Sequence, residues 1–360
     1  MTAPLKNLAP RISPGKPIAG PTVGAGYARG LVDFAVSKGA VREQLLERAQ
    51  ISSADLADLD NRIPVPRYVA LIKVGAELTG EPALALQYGQ AVRMQEISIV
   101  GLICEACETT LDVGVQLNRY ARLAFDADRA GGSAMIRLVR NADGIWLQGT
   151  GDIFNGNPLV AEAELARLVW NTRVMFASHP YFKTTPFPLA VHFTHEAPSY
   201  RAEYDRIFQA PVVFGSHWNA LKIDEGFLSL RQPPTSRYVF GVLSERAQAL
   251  LESLESSKTT RGHVESLLIP ILHTGDPNIE RVAEKMALSR PTLYRKLKAE
   301  GVTFEKLLDE LRHKMALHYL NGKKVSVNET AYLVGFSEPS AFSRAFRRWT
   351  GTSPRNRASS

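Results

Sequence analysis

Two short stretches concentrate the side chains best suited to work on a polyanion: SRPTLYRKLKAEG, Ser289 to Gly301, and SEPSAFSRAFRRWTG, Ser337 to Gly351. They share a skeleton of Ser, Pro two residues on, a large apolar residue, Arg two after it, another large apolar residue two further, then a Gly stop. Candidate contacts in the first are Arg290, Pro291, Tyr294, Arg295 and Lys298; in the second they are Pro339, Ser340, Arg344, Arg347 and Arg348. A guanidinium can donate two parallel hydrogen bonds to O6 and N7 of guanine, worth about 1–3 kcal/mol of discrimination between bases. Arg295 and Arg344 are the residues spaced for that role; the alternatives for each are a phosphate contact or a plain surface ion pair. Lys296, Lys298, Arg347 and Arg348 suit phosphates, which set register and salt dependence rather than base preference.

The elements that must position these groups can be read from periodicity. In DPNIERVAEKMALSRPTLYRKLKAEG, Asp276 followed by Pro277 is a helix start, with Pro where its missing N–H costs nothing. Ile279, Val282, Ala283 and Met286 form an apolar stripe, Ala287 and Leu288 a tight turn, and Ser289 caps a second helix. On that helix Leu293 and Leu297 face the core, while Pro291, Tyr294, Arg295 and Lys298 share the outer side. The second copy repeats the plan with Val327, Ala331 and Val334, a turn at Gly335-Phe336, and Ser337 as cap. There Phe342, Phe346 and Trp349 face inward, and Ser340, Arg344 and Arg347 face outward. Ala283 and Ala331 correspond at one offset, Leu293 and Phe342 at one residue more, so the second copy carries an extra residue at the start of its helix.

Two short helices across a tight turn, the second basic on its outer face, make the helix-turn-helix pattern for entering a major groove. Between the copies, TFEKLLDELRHKMALHYLNGKK reads as one helix started by Thr303 and stopped by Gly322, with Phe304, Leu307, Leu308, Leu311 and Met315 as its buried stripe. About 18 helical residues span roughly 27 Å, against one DNA turn of about 34 Å. A rod of that size can hold two reading heads on successive major grooves. A helical repeat that binds protein is the alternative reading.

Charge follows the same division. The chain of 360 residues carries 43 Lys and Arg against 36 Asp and Glu. Of these, 18 basic and 10 acidic residues lie in 258–360, a net of +8 there and −1 for the rest. A neutral body with a basic tail points to a polyanion partner for the tail, or to a solvated basic surface. At 45% hydrophobic residues the length suffices for two domains with cores.

The two cysteines, Cys104 and Cys107 in CEAC, have metal or redox spacing, but no second pair exists and they sit in an apolar helical run, as inert buried thiols do. No metal and no cofactor is expected. No nucleophile–base–orienter set, phosphate-cradling Gly loop or paired carboxylate stands out. No apolar run reaches the roughly 18 residues of a membrane span. The first 26 residues, rich in Pro and Gly, read as a disordered leader without a secretory signal, and a cytoplasmic, nucleoid-associated location is expected.

Helical patterns dominate to about residue 125. They include VREQLLERAQ, a Ser52-Ser53 start signal, PRYVALIKVGAELTG, and two helices in SIVGLICEACETTLDVGVQLNRYARL broken near Thr109-Thr110. A hairpin signal follows around Asn141-Ala142-Asp143-Gly144, then a helix from Leu159 to Ser178, a strand in PLAVHFTH, a helix in SYRAEYDRIFQ, and short strands in PVVFG and ALKID. Mixed order of this kind indicates an α+β domain. Trp146, Trp170, Phe176 and Trp218 could line an effector pocket or simply pack, and His192 and His195 could touch a ligand or be satisfied histidines. LSERAQALLESLESS carries a stripe of Leu243, Ala247, Leu250, Leu251 and Leu254, fit for a connector helix or a subunit contact.

The segment from about Gly262 to Arg357, above all GFSEPSAFSRAFRRWTGTSPRNR, resembles the AraC/XylS family of bacterial transcription regulators. AVHFTHEAPSYRAEYDRIFQAPVVFGSHWNALKID resembles the arabinose-binding-type sensor domain of the ornithine-utilisation-regulator-like branch, a likeness extending over about Arg42 to Leu230, with no implication that arabinose is the ligand. The resemblance implies an α+β sensor domain followed by an all-α domain with two helix-turn-helix subdomains joined by a linker helix. It places the leader at 1–26, the sensor at 27–230, a linker with connector helix at 231–260 and the DNA-binding domain at 261–358. It implies DNA contact by Pro291, Tyr294, Arg295, Pro339, Ser340 and Arg344. The expected function is a sequence-specific regulator, an activator responding to a small-molecule effector. Its expected partners are promoter DNA, the effector and RNA polymerase, with a homodimer as a further expectation. The competing reading is a DNA-tethered enzyme such as an alkylation-repair methyl acceptor.

Overall fold

The computed structural model describes residues 20–127, 135–232, 237–274, 277–321 and 325–355. The chain divides into two compact units, Ile18–Leu251 and Glu252–Ser360. The first is α+β and the second all-helical among the described residues.

The first unit holds two small sheets among helices. Strands β1 (Thr22–Gly24), β2 (Arg62–Pro64) and β3 (Phe125–Asp126) form an antiparallel sheet in the order β2-β1-β3. Strands β4 (Ile136–Asn141), β5 (Gly144–Gly149), β6 (Ala190–His192), β7 (Val212–Val213) and β8 (Ala220–Ile223) form a second sheet in the order β4-β5-β8-β6-β7, in which only β6 and β7 run parallel. The β4–β5 hairpin turns where expected, with Asn141 pairing Gly144 and the Asn141 side chain accepting from the Asp143 and Gly144 amides. Strict alternation then splits β5 between two faces. Ile145 and Leu147 join the core with Val191, Leu221 and Phe176, while Trp146 packs on the opposite face with Trp218 and Ala220. The helix Pro158–Met175 runs through the middle of this unit, buried on nearly every side.

Two expectations do not hold. The leader does not extend to residue 26: β1 pairs on both edges, Val23 and Ala25 are fully buried, and the helix Ala25–Ser37 begins at once. A Cβ on Gly26 would fall 1.8 Å from the Ile97 carbonyl, so only Gly admits that approach. Ser52-Ser53 starts no helix. Ser52 and Asp55 exchange hydrogen bonds as in a capping box, but Asp58 then accepts from the Asp60 amide and Asn61 donates to the Asp55 carbonyl. Such side-chain bonds compete with the helical ladder and leave turns. The segment 231–260, expected to carry a connector helix, does hold one, Arg237–Ser257. Gln232 donates its amide to the Glu108 carbonyl, and the helix Arg237–Ser257 packs Ala247, with Leu243 and Leu251, against Val100, Ile103 and Tyr120.

The second unit strings together helices Thr260–Leu268, Ile279–Lys285, Arg290–Ala299, Phe304–Asn321, Val327–Leu333 and Pro339–Thr350. One hydrophobic core runs through all of them, from Val264 and Leu268 to Leu293, Leu297, Leu307, Leu311, Phe342 and Phe346.

Candidate nucleic-acid interface

In the first helix-turn-helix, Asn278 caps the helix Ile279–Lys285, its side chain accepting from the Glu280 amide at 2.7 Å. The start is thus two residues later than the Asp276-Pro277 signal, whose Asp276 lies outside the described residues. Ala287 turns the chain with φ +53°, and Ser289 accepts from the Thr292 amide to cap Arg290–Ala299. Leu293 and Leu297 are buried, while Arg290, Pro291, Tyr294, Arg295 and Lys298 are exposed. The spacing of apolar residues therefore does put every candidate contact of this helix on its solvent side.

The second copy is built alike with one change. Ser326 and Glu329 form a capping box at the start of Val327–Leu333, and these hydrogen bonds hold the Glu329 carboxyl below the usual carboxylate range. Gly335 makes the turn with φ +83°, and a Cβ there would stand 2.2 Å from the Leu272 carbonyl. The cap of Pro339–Thr350 is Glu338, not Ser337, and it offers no side-chain bond. The extra residue after the proline shifts the helix frame by one, so Glu338 falls where Ser289 falls in the first copy. Phe342 and Phe346 are fully buried and Trp349 partly so. Ser340, Arg344, Arg347 and Arg348 are exposed and Pro339 half-buried.

Burial and pairing sort the cations. Arg295, Lys296, Lys298, Arg344 and Arg347 have no ion-pair partner among the described residues. Arg290 pairs with Glu280 at 2.7 Å, and Arg348 with Asp309 on the linker helix at 2.8 Å. Arg295 and Lys298 on one outer helix occupy the positions of Arg344 and Arg347 on the other, whereas Lys296 falls where the second copy has the buried Ala345.

Positioning falls to residues that sequence reasoning missed. Arg312, on the linker helix Phe304–Asn321, donates from Nε to the Val334 carbonyl at 3.1 Å and from Nη2 to the Gly335 carbonyl at 3.2 Å, and its guanidinium lies 4.9 Å from the Phe336 ring centre. Burial lowers its pKa below the ordinary value. Asp309, one turn earlier, accepts from Arg348 and from Trp349 Nε1 at 2.9 Å. The linker helix thus grips both the turn and the far end of the second helix pair. On the other copy, Glu300 accepts from the Thr260 and Arg261 amides at 2.7 and 2.8 Å, tying the end of Arg290–Ala299 to the first helix of the unit. Arg261 in turn reaches Glu310 of the linker helix at 2.7 Å. Only the mix of charge with an amphipathic stripe in FEKLLDELRHKM hinted at these ties.

In the first unit, Cys104 and Cys107 are buried, and burial pushes Cys104 well above and Cys107 up to about 11 from ordinary thiol values. No group of His, Cys, Asp or Glu among the described residues is arranged to hold a metal ion. Among the described residues no helix is long and apolar enough to cross a membrane. His192 Nδ1 takes up the Trp218 Nε1–H at 3.2 Å, and burial lowers its pKa; His195 Nδ1 lies 2.8 Å from the Glu196 carbonyl. Both are thus satisfied histidines. The four aromatics do not line one pocket: Trp146 and Trp218 stand 5.1 Å apart on one sheet face, Phe176 lies in the core beyond the other, and Trp170 belongs to neither cluster.

An α+β unit, followed by twin helix-turn-helix subdomains sharing one core and exposing unpaired arginines, defines a DNA-binding regulator. Comparison with known proteins agrees. Residues 39–232 match the model described as the arabinose-binding domain of AraC transcription regulator, N-terminal, and residues 282–358 match a helix-turn-helix domain. The chain is 25% identical over 334 residues to the ornithine utilization regulator of Pseudomonas aeruginosa, covering 91% of this chain and 94% of that relative. It is 31% identical over 169 residues to the transcriptional regulator VirS of Mycobacterium tuberculosis, covering 45% and 47%. It is 40% identical over 115 residues to the transcriptional activator RhaS of Escherichia coli, covering 31% and 40%. The chain belongs to the AraC family of transcription regulators, and it is a regulator rather than an enzyme.

Proposed function

We propose that the chain is an effector-responsive activator whose two outer helices, Arg290–Ala299 and Pro339–Thr350, enter adjacent major grooves of one duplex. The observation that carries the reading is the twin set of unpaired cations, Arg295 with Lys298 and Arg344 with Arg347, mounted on a single core around an 18-residue linker helix. In this reading Arg295 and Arg344 contact base edges, assisted by Pro291, Tyr294, Pro339 and Ser340. Lys296, Lys298 and Arg347 hold phosphates, and Arg290 joins them by leaving Glu280. Arg348 acts through its bond to Asp309 as a positioning group. The named activator among the relatives supports the sign of regulation, and contact with RNA polymerase follows from it. The α+β unit takes a small-molecule effector.

Binding of Arg295→Ala and Arg344→Ala to a panel of single-base operator variants tests this. Each substitution should weaken specific binding by about 1–3 kcal/mol and relax preference at one base pair. The two base pairs should lie in separate half-sites; relaxation of the same pair by both would rule out two-groove reading.

A further inference from the structure

The second sheet of the α+β unit ends on one side in β7, of two residues, and on the other in β4, of six. Among the described residues only β5 pairs with β4. In an antiparallel ladder each residue sends its amide and carbonyl to one side only, alternating along the strand. Met135 accepts the Thr150 amide, and Asn141 pairs with Gly144 at the hairpin turn, so the odd-numbered residues of β4 bond inward to β5. Ile136, Leu138 and Arg140 therefore turn their amides and carbonyls outward. Asn118, on the helix Thr110–Arg119, takes both groups of Ile136. Its Oδ1 accepts from the Ile136 amide at 3.0 Å, and its Nδ2 donates to the Ile136 carbonyl at 2.8 Å. This side chain imitates a further strand for one residue and stops there. The amides and carbonyls of Leu138 and Arg140 have no partner among the described residues.

Sheets normally blunt such an edge with charge, proline or a covering element. Here the edge is apolar. Leu138 is 47% exposed. Leu111 and Val115, 52% and 60% exposed, stand on the same stripe of Thr110–Arg119 as Asn118, at i, i+4 and i+7. That helix runs beside the strand: Asn118 near its end is bonded to Ile136, and Thr110 at its start donates to the Phe227 carbonyl in the short helix Glu225–Ser229. Strand alternation puts Leu138 on the same side of the sheet as Arg140, whose charge is already met by Glu225 at 2.7 Å. The Leu243–Ala247–Leu251 stripe, the candidate subunit contact in the sequence, is instead packed inside the unit.

We propose that this edge is the interaction surface for a second copy of the chain, β4 pairing antiparallel with the same strand of the partner about a two-fold axis, so that one sheet runs through both copies. Self-complementarity selects both the occupant and the register. With Ile136 taken by Asn118, only one two-fold register uses Leu138 and Arg140 together. It sets Leu138 opposite the partner's Arg140 and Arg140 opposite the partner's Leu138, each exchanging amide–carbonyl bonds, with Val139 facing the partner's Val139 on the axis. An axis through Leu138 would oppose Arg140 to the blocked Ile136, and an axis through Arg140 would set guanidinium against guanidinium. In the selected register Arg137 falls opposite the partner's Asn141, beside the hairpin that carries Asp143. The basic start of each strand thus meets the acidic turn of the other. Leu138, Leu111 and Val115 supply the apolar part of the contact. The inference goes beyond the DNA reading and does not depend on it.

The test uses the full chain without DNA. Sedimentation equilibrium should show a reversible monomer–dimer equilibrium. Leu138→Pro removes an outward amide, which an edge strand tolerates, and leaves the ladder to β5 intact. It should raise the dimer dissociation constant at least about tenfold while the circular dichroism spectrum of the folded chain is retained. Single-cysteine variants read the register whether or not Leu138→Pro folds, since Cys104 and Cys107 are buried. With oxidised glutathione as the oxidant, Val139→Cys should give a disulfide-linked dimer at least about tenfold faster than Leu138→Cys, because only the pair on the axis brings identical positions face to face at disulfide range. A chain that stays monomeric, a dimer unweakened by folded Leu138→Pro, or faster cross-linking through Leu138→Cys would each overturn the assignment. The second of these would move the contact to another face, such as the exposed Tyr238 and Val242. Because DNA is absent, failure here leaves two-groove binding standing.

Discussion

Lys298 and Arg295 are three residues apart on one exposed helix, yet the proposal gives them different work, and that difference is measurable. Lys298→Ala should lower affinity about equally on operator and non-operator DNA and reduce the slope of log K against log salt by about one. A changed base preference would remove it from the phosphate role. Arg348 should behave unlike either. Its guanidinium already pairs with Asp309 beside Trp349, so Arg348→Ala should act through the placement of Pro339–Thr350 and lower affinity without shifting preference at any base pair. What was legible at this scale is the exposed set, because helical periodicity alone separates Leu293 and Leu297 from Arg295. What was not legible is partnership. Nothing in sequence distinguishes the paired Arg290 and Arg348 from the unpaired Arg344, since pairing is decided by residues brought together only in three dimensions.

At the scale of elements, the two turns carry opposite strains. Ala287 holds φ +53° with a side chain that disfavours it, whereas Gly335 holds φ +83° with the Leu272 carbonyl where a Cβ would stand. Ala287→Gly should therefore stabilise the fold by roughly 0.5–1 kcal/mol, and Gly335→Ala should destabilise it by about 1–3 kcal/mol or more. Chemical denaturation of the full chain reads both, and equal signs for the two would contradict this account of the turns. Arg312→Met keeps the stem but removes the two bonds to the second turn, so it should cost about 1–3 kcal/mol and weaken operator binding with base preference unchanged. The helix-turn-helix elements were legible because they are local: capped, amphipathic and doubled. The Ser337 cap was misplaced because a one-residue insertion shifts the frame without erasing the pattern. The β2-β1-β3 sheet was invisible because its strands have only two or three residues and pair across as many as 104 positions, Thr22 with Asp126. Windows that short carry no period.

For the whole molecule, the division of labour shown by charge survives in the structure. The basic tail coincides with the helical unit, and the near-neutral remainder with the α+β unit. The border between the two compact units falls at Leu251–Glu252, inside the helix Arg237–Ser257. The fully buried Ala247 on that helix shows why: its early turns belong to the first unit's packing. The central claim is geometric, that one chain lays two exposed helices into neighbouring grooves. Hydroxyl-radical footprinting of the intact protein on its operator, with each strand labelled, tests it most directly. The account predicts two protected patches per chain, centred about one helical turn, or 10–10.5 base pairs, apart on the same face of the duplex. A single patch per chain, unchanged in position when Arg344 is replaced by Ala, would contradict it.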